Sequence, residues 1–564
     1  MNTLQQAFSH HQSGDLPSAV RLYRDFLQTR PDHADALHLL GIALTQSGRG
    51  DEACEALTRA VELNPQNPDY LNNLGLLLYY RRDYDEARAR LEAALAISPD
   101  SADALNNLGM TLQKLNKTAE AVECFTRSLE FDPSNWETLH NLGGAYQAAG
   151  RLEDARRAFL ESLRLNADNV NGLTNLAMIQ FALNDPAQGF DCCWKAIRKQ
   201  PDFFDAHKLF YDMRVAGQGG EDAFESFRWA CDAHPDKASV HRQFGDIYAF
   251  LDRFAEAEPW LRKAVEIAPD DINCLSSLGW YCANIGKHDE AGRLLAKAAA
   301  MEPDDPQIRH RYGQALLQGG RFADAVGQLE IAHNLRPRIN GILADMITAM
   351  HETDDPRLAD WLDYDRDVVP RLVDVPAGYG SLGDFNEALH AELEPRHGDK
   401  AAPSDQSLRG GTQIPGNILE DASLVIRAAR DAIAGAIASY LSELTEDKSH
   451  PFRRYLNRDF RFTGSWSTIL YGAGYDMSHI HTDAWLSGVY YVKVPDLPEN
   501  LWESGEGCIQ FGEPPEEYVS EKNRKRRIIR PQPGMVVPFP SYVWHGVLPF
   551  TREGLRHAIA FDVV

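Results

Sequence analysis

Two histidines, an aspartate and an arginine near the end of the chain have the types and spacing of a redox metal site. His481 and Asp483 stand two residues apart, His545 comes 64 residues after His481, and Arg556 eleven residues after His545. Two imidazoles and one carboxylate on a rigid barrel supply one face of an octahedron and leave three adjacent positions open. That suits non-haem Fe(II), which must take a bidentate cosubstrate and O2 together. Arg556 heads the otherwise apolar run RHAIAFDVV. Its guanidinium either clamps the distal carboxylate of such a cosubstrate through two parallel hydrogen bonds or forms a surface salt bridge; the apolar surroundings favour the clamp. The hexapeptide SHIHTD also offers His479. Two ligand sets therefore stand open: His481, Asp483 and His545, preferred for its charge balance, or His479 and His481 with Asp483 idle. His-x-Asp recurs at His33, His234 and His397, where repeat boundaries or a loop-rich linker account for it.

The elements that must position these residues are strands. Short β-rich runs separated by turn residues occupy 465–471, 486–494, 507–512, 526–530, 534–540, 543–550 and 556–564, and the amphipathic helical segment 422–444 precedes them. Seven strands in such a span predict a double-sheet jelly roll of cupin type, whose open mouth would hold His481, Asp483 and His545. Trp485 and Trp544 flank the metal residues, as core or as pocket wall. The basic run EKNRKRRIIR, 521–530, reads as a solvated hairpin, or else as a loop that meets an acidic surface.

The series Tyr471, Gly474, His481-x-Asp483, Ser487-Gly-Val-Tyr-Tyr491, Gly507, Gly534, Phe539-Pro540, His545 and Arg556 resembles the 2-oxoglutarate/Fe(II)-dependent oxygenases, nearest to a bacterial group with an HxH…LSGVYYV…FPS…H pattern. The resemblance spans about 365–564. It implies His481, Asp483 and His545 as iron ligands, Arg556 as the partner of a 2-oxoglutarate carboxylate, and Tyr471 and Tyr491 as further contacts to that cosubstrate. It also implies hydroxylation of a C–H bond coupled to decarboxylation of 2-oxoglutarate.

The first three fifths of the chain keep a clock. Proline stands at 31, 65, 99, 133, 201, 235, 269, 303 and 337, with every interval 34 or twice 34; Gly and Ala recur in the same register, Gly at 41, 75, 109 and 143, Ala at 53, 87, 121 and 155. Small residues at fixed places in successive helices mean antiparallel helices packed too closely for larger ones. The pattern resembles the tetratricopeptide repeat, ten units to residue 338, worn near 170–235. In that family the first helices line a face that binds a peptide or protein. Asn73, Asn107, Asn141 and Asn175 are again 34 apart. They form either an amide ladder for an extended chain or a solvated helix face.

The fold class is thus multidomain: an all-α repeat solenoid (1–338), a capping helix and linker (339–364), and an α+β domain with a jelly-roll core (365–564). Lys and Arg total 57 against 82 Asp and Glu, a net charge of −25, which disfavours nucleic acid and anionic membrane as partners. The eight cysteines form no CxxC pair and read as buried thiols; with no apolar span or leader pattern, a cytoplasmic location is expected. The expected function is an oxygenase using Fe(II) and 2-oxoglutarate on a protein or peptide recruited by the solenoid. The alternative is a non-catalytic repeat adaptor. A sugar transferase, suggested by the Asn register alone, lacks a nucleotide-binding strand-turn-helix.

Overall fold

The 34-residue clock is a packing rule. A Cβ added at Gly41, Gly75, Gly109 or Gly143 would lie 2.5, 2.7, 2.6 or 2.7 Å from Leu57, Leu91, Phe125 or Phe159, always sixteen residues ahead on the next helix. The glycine is therefore the socket for one bulky side chain. Between the two helices of each pair one residue takes positive φ: Gly48, Arg82, Asn116, Gly150 and Asn184 follow one another at the same interval. That left-handed residue ends the first helix and turns the chain into the second. Asn67, Ser101, Asn135 and Asn169 cap the next first helices through their side chains.

These features come from a computed structural model that describes residues 3–217, 220–398, 407–414, 416–515, 518 and 525–564, and the chain divides into two compact units, Met1–Ile247 and Tyr248–Val564. The first unit is built of antiparallel helix pairs such as Ala102–Lys114 and Thr118–Phe131. Its cysteines at 124, 192, 193 and 231 are buried free thiols. Burial pushes Cys193 and Cys231 up to about 12, which leaves them as packing groups.

The Asn register does work that the spacing alone did not show. Asn107 Nδ2 donates to Asn72 Oδ1 (2.9 Å) and Asn141 Nδ2 to Asn106 Oδ1 (3.0 Å), while Asn73 and Asn175 meet His38 Nε2 (2.7 Å) and His140 Nε2 (3.4 Å). Each bond runs back 35 residues to the preceding repeat. Each amide thus spends one hydrogen between repeats, and residues 38, 72, 106 and 140 form a second, accepting register.

In the second unit the pairs continue through Ile272–Asn284 with His288–Met301 and Pro306–Gln318 with Phe322–Leu335. Residues 339–364, expected as cap and linker, contain the helix Asn340–Glu352, eleven of whose thirteen residues are buried. Among the described residues nine strands follow: β1 Arg371–Leu372, β2 Leu408–Ile414, β3 Phe462–His479, β4 Leu486–Lys493, β5 Ile509–Phe511, β6 Arg527–Ile529, β7 Met535–Pro540, β8 His545–Val547 and β9 Leu555–Val563. Their order is β1-β7-β4-β9-β3-β8-β5-β6, with β2 also on β3. The long β3 pairs β9 with its first part and β8 with its last, so the sheet curls into a jelly roll. The bend falls where Gly474 approaches Gly410: a Cβ at 474 would lie 2.7 Å from Gly410 O.

One core runs through this unit. Leu317, Leu329, Met346 and Met350 from the repeat helices join Phe385, Leu389, Ile433 and Ile437 from the helices Leu382–Leu393 and Leu424–Glu443, and Val536, Ile559 and Phe561 from the sheet. Behind the sheet lies a histidine chain, buried at His390 and His557 and half-buried at His397. His390 Nδ1 meets His557 Nδ1 at 2.8 Å, and Ser467 Oγ bridges His557 Nε2 (2.8 Å) and His397 Nε2 (3.0 Å). Burial, then the neighbouring His390, brings His557 down to about 3 and His397 down to about 4 from 6.5.

Two outcomes follow for stability. Asn107→Ala with Asn141→Ala should lower the unfolding free energy, read from the urea midpoint, by about 1 kcal/mol for each inter-repeat bond removed, at unchanged denaturant slope. The histidine chain makes the fold acid-sensitive: the unfolded rings protonate below 6.5 while the folded ones stay neutral to about 4 and about 3. Stability from this source is complete above pH 6.5 and is lost as pH falls toward those values. His557→Gln should flatten the loss measured by urea titration between pH 6.5 and 4; an unchanged slope would place the acid sensitivity elsewhere.

Candidate metal centre

His479 closes β3 and His545 opens β8, directly opposite each other in the antiparallel register. Between Asp476 and His479 the register shifts by one residue, a bulge that brings the His479 ring onto the face of its partner. His481 follows in the loop, its backbone N–H bonded to Ser541 O at 3.1 Å. Ring centroids lie 4.4 Å apart for His479 and His545, 5.0 Å for His481 and His545, and 5.4 Å for His479 and His481. One ligand nitrogen from each ring lies within 4.8 Å of the others.

The tautomer of each ring is set by what stands behind it. Nδ1 of His479 donates to Met477 O (2.8 Å), Nδ1 of His545 to Val543 O (3.0 Å) and Nδ1 of His481 to Asp562 Oδ1 (2.5 Å). Carbonyls only accept, and the carboxylate accepts as well, so each Nδ1 carries the proton and each Nε2 keeps its lone pair for a cation. Asp562 is itself held by Ser487 Oγ (2.6 Å), which meets Ser541 Oγ at 2.8 Å. Burial, followed by the neighbouring His479 and His481, holds His545 well below its ordinary range and keeps it a neutral ligand.

Asp483 stands outside this cluster. It is exposed on the turn after His481, and its carboxylate accepts a 3.4 Å contact from Thr482 Oγ1; His479 occupies the third place. Arg556 is 2 % exposed and sits opposite Leu470 on β3. Its Nε and Nη2 are buried without a hydrogen-bond partner, as is the hydroxyl of Tyr491, over whose ring the guanidinium lies at 4.8 Å. Tyr471 pairs with Leu555, one residue before the Leu470–Arg556 pair. Because strand side chains alternate, this puts it on the face away from the guanidinium.

Arg556, Ala558, Ala560 and Asp562 share one face of β9. Two small residues, the alanines, stand between the guanidinium and the carboxylate that holds His481 on this face. Asp562 was missed in the sequence reading, though one signal was there: it is the only acid in the last strand and lies an even number of residues from Arg556.

Both flanking tryptophans are hydrogen-bonded within the unit, and Trp544 also lines a cavity with Ile347, Leu362 and Tyr542. Trp485 Nε1 donates to Phe452 O (3.0 Å) and Trp544 Nε1 to Thr348 Oγ1 (3.2 Å). Of the basic run, 521–524 lie outside the described residues. The remainder is paired within the unit: Arg526 with Glu513, Arg527 with Asp365 and Arg530 with Glu499.

Comparison with known families agrees with this geometry. Residues 464–562 match the family described as "Putative 2OG-Fe(II) oxygenase". Residues 10–75, 68–134, 124–157, 239–271 and 286–337 match tetratricopeptide repeat models. The chain carries tetratricopeptide repeats followed by a C-terminal segment that matches the oxygenase family so described. No curated protein matches it. Among solved structures it is similar to pilF of Pseudomonas aeruginosa, at 21% identity over 37% of this chain and 96% of that one, with a TM-score of 0.34. YrrB, described as a TPR protein with an unusual peptide-binding site, is 20% identical over 33% of this chain and 95% of its own, with a TM-score of 0.28. A tetratricopeptide repeat protein of Parabacteroides merdae is 18% identical over 43% and 96%, with a TM-score of 0.35. Among the described residues, no helix is long and apolar enough to cross a membrane.

The oxygenase domain's ligand set is open to a direct comparison. His479→Ala should weaken Fe(II) or Co(II) binding by a factor of about ten to a hundred or more, and Asp483→Ala should leave it near wild type, both measured by anaerobic metal titration. The reverse order would restore Asp483 as the third ligand.

Proposed function

We propose that the protein is a 2-oxoglutarate- and Fe(II)-dependent oxygenase that hydroxylates a protein or peptide brought to it by the repeats. The observation that carries this reading is the pairing of three imidazoles, each with Nε2 left free, with a buried guanidinium whose Nε and Nη2 have no partner. His479, His481 and His545 would hold the iron through Nε2. Arg556 would take the distal carboxylate of 2-oxoglutarate in two parallel hydrogen bonds, with the Tyr491 hydroxyl beside it. O2 would be the oxidant: with iron and 2-oxoglutarate bound, one oxygen atom would enter the C–H bond as hydroxyl and the other the new carboxylate of succinate, as 2-oxoglutarate loses CO2.

The protein's share is positional. Asp562 fixes the His481 ring, and the Met477 and Val543 carbonyls fix the other two. Phe539, 1 % exposed and 4.4 Å from the His545 ring, keeps water from one side, and Trp466 lies 5.3 Å from His481. The substrate class rests on the array: a small metabolite needs no extended repeat surface. We place the reaction in the cytoplasm.

A repeat adaptor with a purely structural jelly roll is the rival reading, and the unpaired Arg556 speaks against it. A buried cation without an anion is costly, so a domain with no ligand to meet it would be destabilised for nothing. Arg556→Ala should weaken 2-oxoglutarate binding about a hundredfold or more under anaerobic conditions, since truncating one side of a buried ion pair costs about 3 to 5 kcal/mol. Arg556→Lys should restore only part of it, and metal affinity should survive both changes. Equal 2-oxoglutarate affinities in Arg556→Ala and wild type would sink the assignment.

A further inference from the structure

The helix Asn340–Glu352 belongs to the repeat register, yet its polar side chains point into the oxygenase domain. Asn340, 6 % exposed, uses both amide hydrogens: Nδ2 donates to His481 O (2.7 Å) and to Ala484 O (2.7 Å). These two carbonyls bracket the turn that leaves the candidate ligand His481. Eight residues on, and so on the same side of the helix, Thr348 Oγ1 accepts from Nε1 of Trp544, the neighbour of His545 (3.2 Å). Between them Asp345, in register with Asn175, accepts from Tyr518 Oη (2.7 Å), His310 Nε2 (2.6 Å) and Gln314 Nε2 (2.9 Å). One helix thus grips both loops that carry ligands from the loop side.

We propose that Asn340 is a positioning residue for the metal ligand His481, and that this last repeat helix is a part of the metal site. The inference rests on the metal reading given above. The His481 ring is held at Nδ1 by Asp562, while its backbone is held by the side-chain amide of Asn340. Loss of either grip lets the ring swing away from the common point of the three nitrogens. Removing Asn340 also leaves two buried carbonyls without a donor, so the turn 481–484 would open toward water to satisfy them. On this account the metal site is incomplete in a chain that begins at residue 365, although every ligand is present in it.

The test uses the full chain with Co(II) as the probe metal. Co(II) binding to the wild type, lost in His545→Ala, checks the metal reading itself; no binding there overturns that reading and not the grip of Asn340 on the turn. Given wild-type binding, Asn340→Ala should weaken Co(II) about tenfold and shift its visible ligand-field bands, because one imidazole has moved. Gln314→Ala, which removes a bond to Asp345 but touches neither ligand loop, should change urea stability and leave the spectrum alone. Identical affinity and spectrum in Asn340→Ala would overturn the proposal. Should that variant fail to fold, hydrogen exchange on the wild type decides: Co(II) should slow exchange in 340–352 together with 481–484, and protection confined to the strands would overturn it.

Discussion

Three imidazoles can hold one cation only if each turns an unprotonated nitrogen to the same point, and in the C-terminal sheet each of His479, His481 and His545 has an acceptor behind it that keeps Nε2 unprotonated. The three acceptors that fix the tautomers come from separate places: Met477 O within β3, Val543 O before β8 and the Asp562 carboxylate at the end of β9. A jelly roll brings these together because β3 crosses from one half of the curled sheet to the other. The bulge before His479 and the close approach of Gly474 to Gly410 are the local costs of that crossing.

The same face of β9 carries the second charge of the site. Arg556 and Asp562 stand roughly 20 Å apart along the strand at about 3.3 Å per residue, with Ala558 and Ala560 between them on the same face. A buried positive charge is costly there unless an anion meets it. The opposite face of the strand, with His557, Ile559 and Phe561, faces the helical layer and its neutral histidine chain. One strand therefore separates a site that wants charge from a core that excludes it.

The repeats and the sheet of the second unit share one core, so the change from helix to strand in the sequence is no seam in the structure. Asn340–Glu352 has too many buried residues to be a solvated cap, and two of its polar groups, Asn340 and Thr348, meet the segments beside His481 and His545. A repeat helix normally shows one face to its neighbours. This one is covered on nearly all sides.

The sequence by itself determined the repeat period, the strand-rich end, and the residue types of the site, because each of these is local. A 34-residue packing rule repeats in the letters, alternation marks strands, and His481, His545 and Arg556 stand out as costly groups in apolar runs. It could not decide between Asp483 and His479, since a single bulged residue determines which side chain meets His545. Nor could it show that Tyr471 and Tyr491 fall on opposite faces, that the Asn register bonds repeat to repeat, or that Asp562 and Asn340 hold His481. Those partners lie 35, 81 and 141 residues away, and only the folded chain places their atoms at hydrogen-bonding distance.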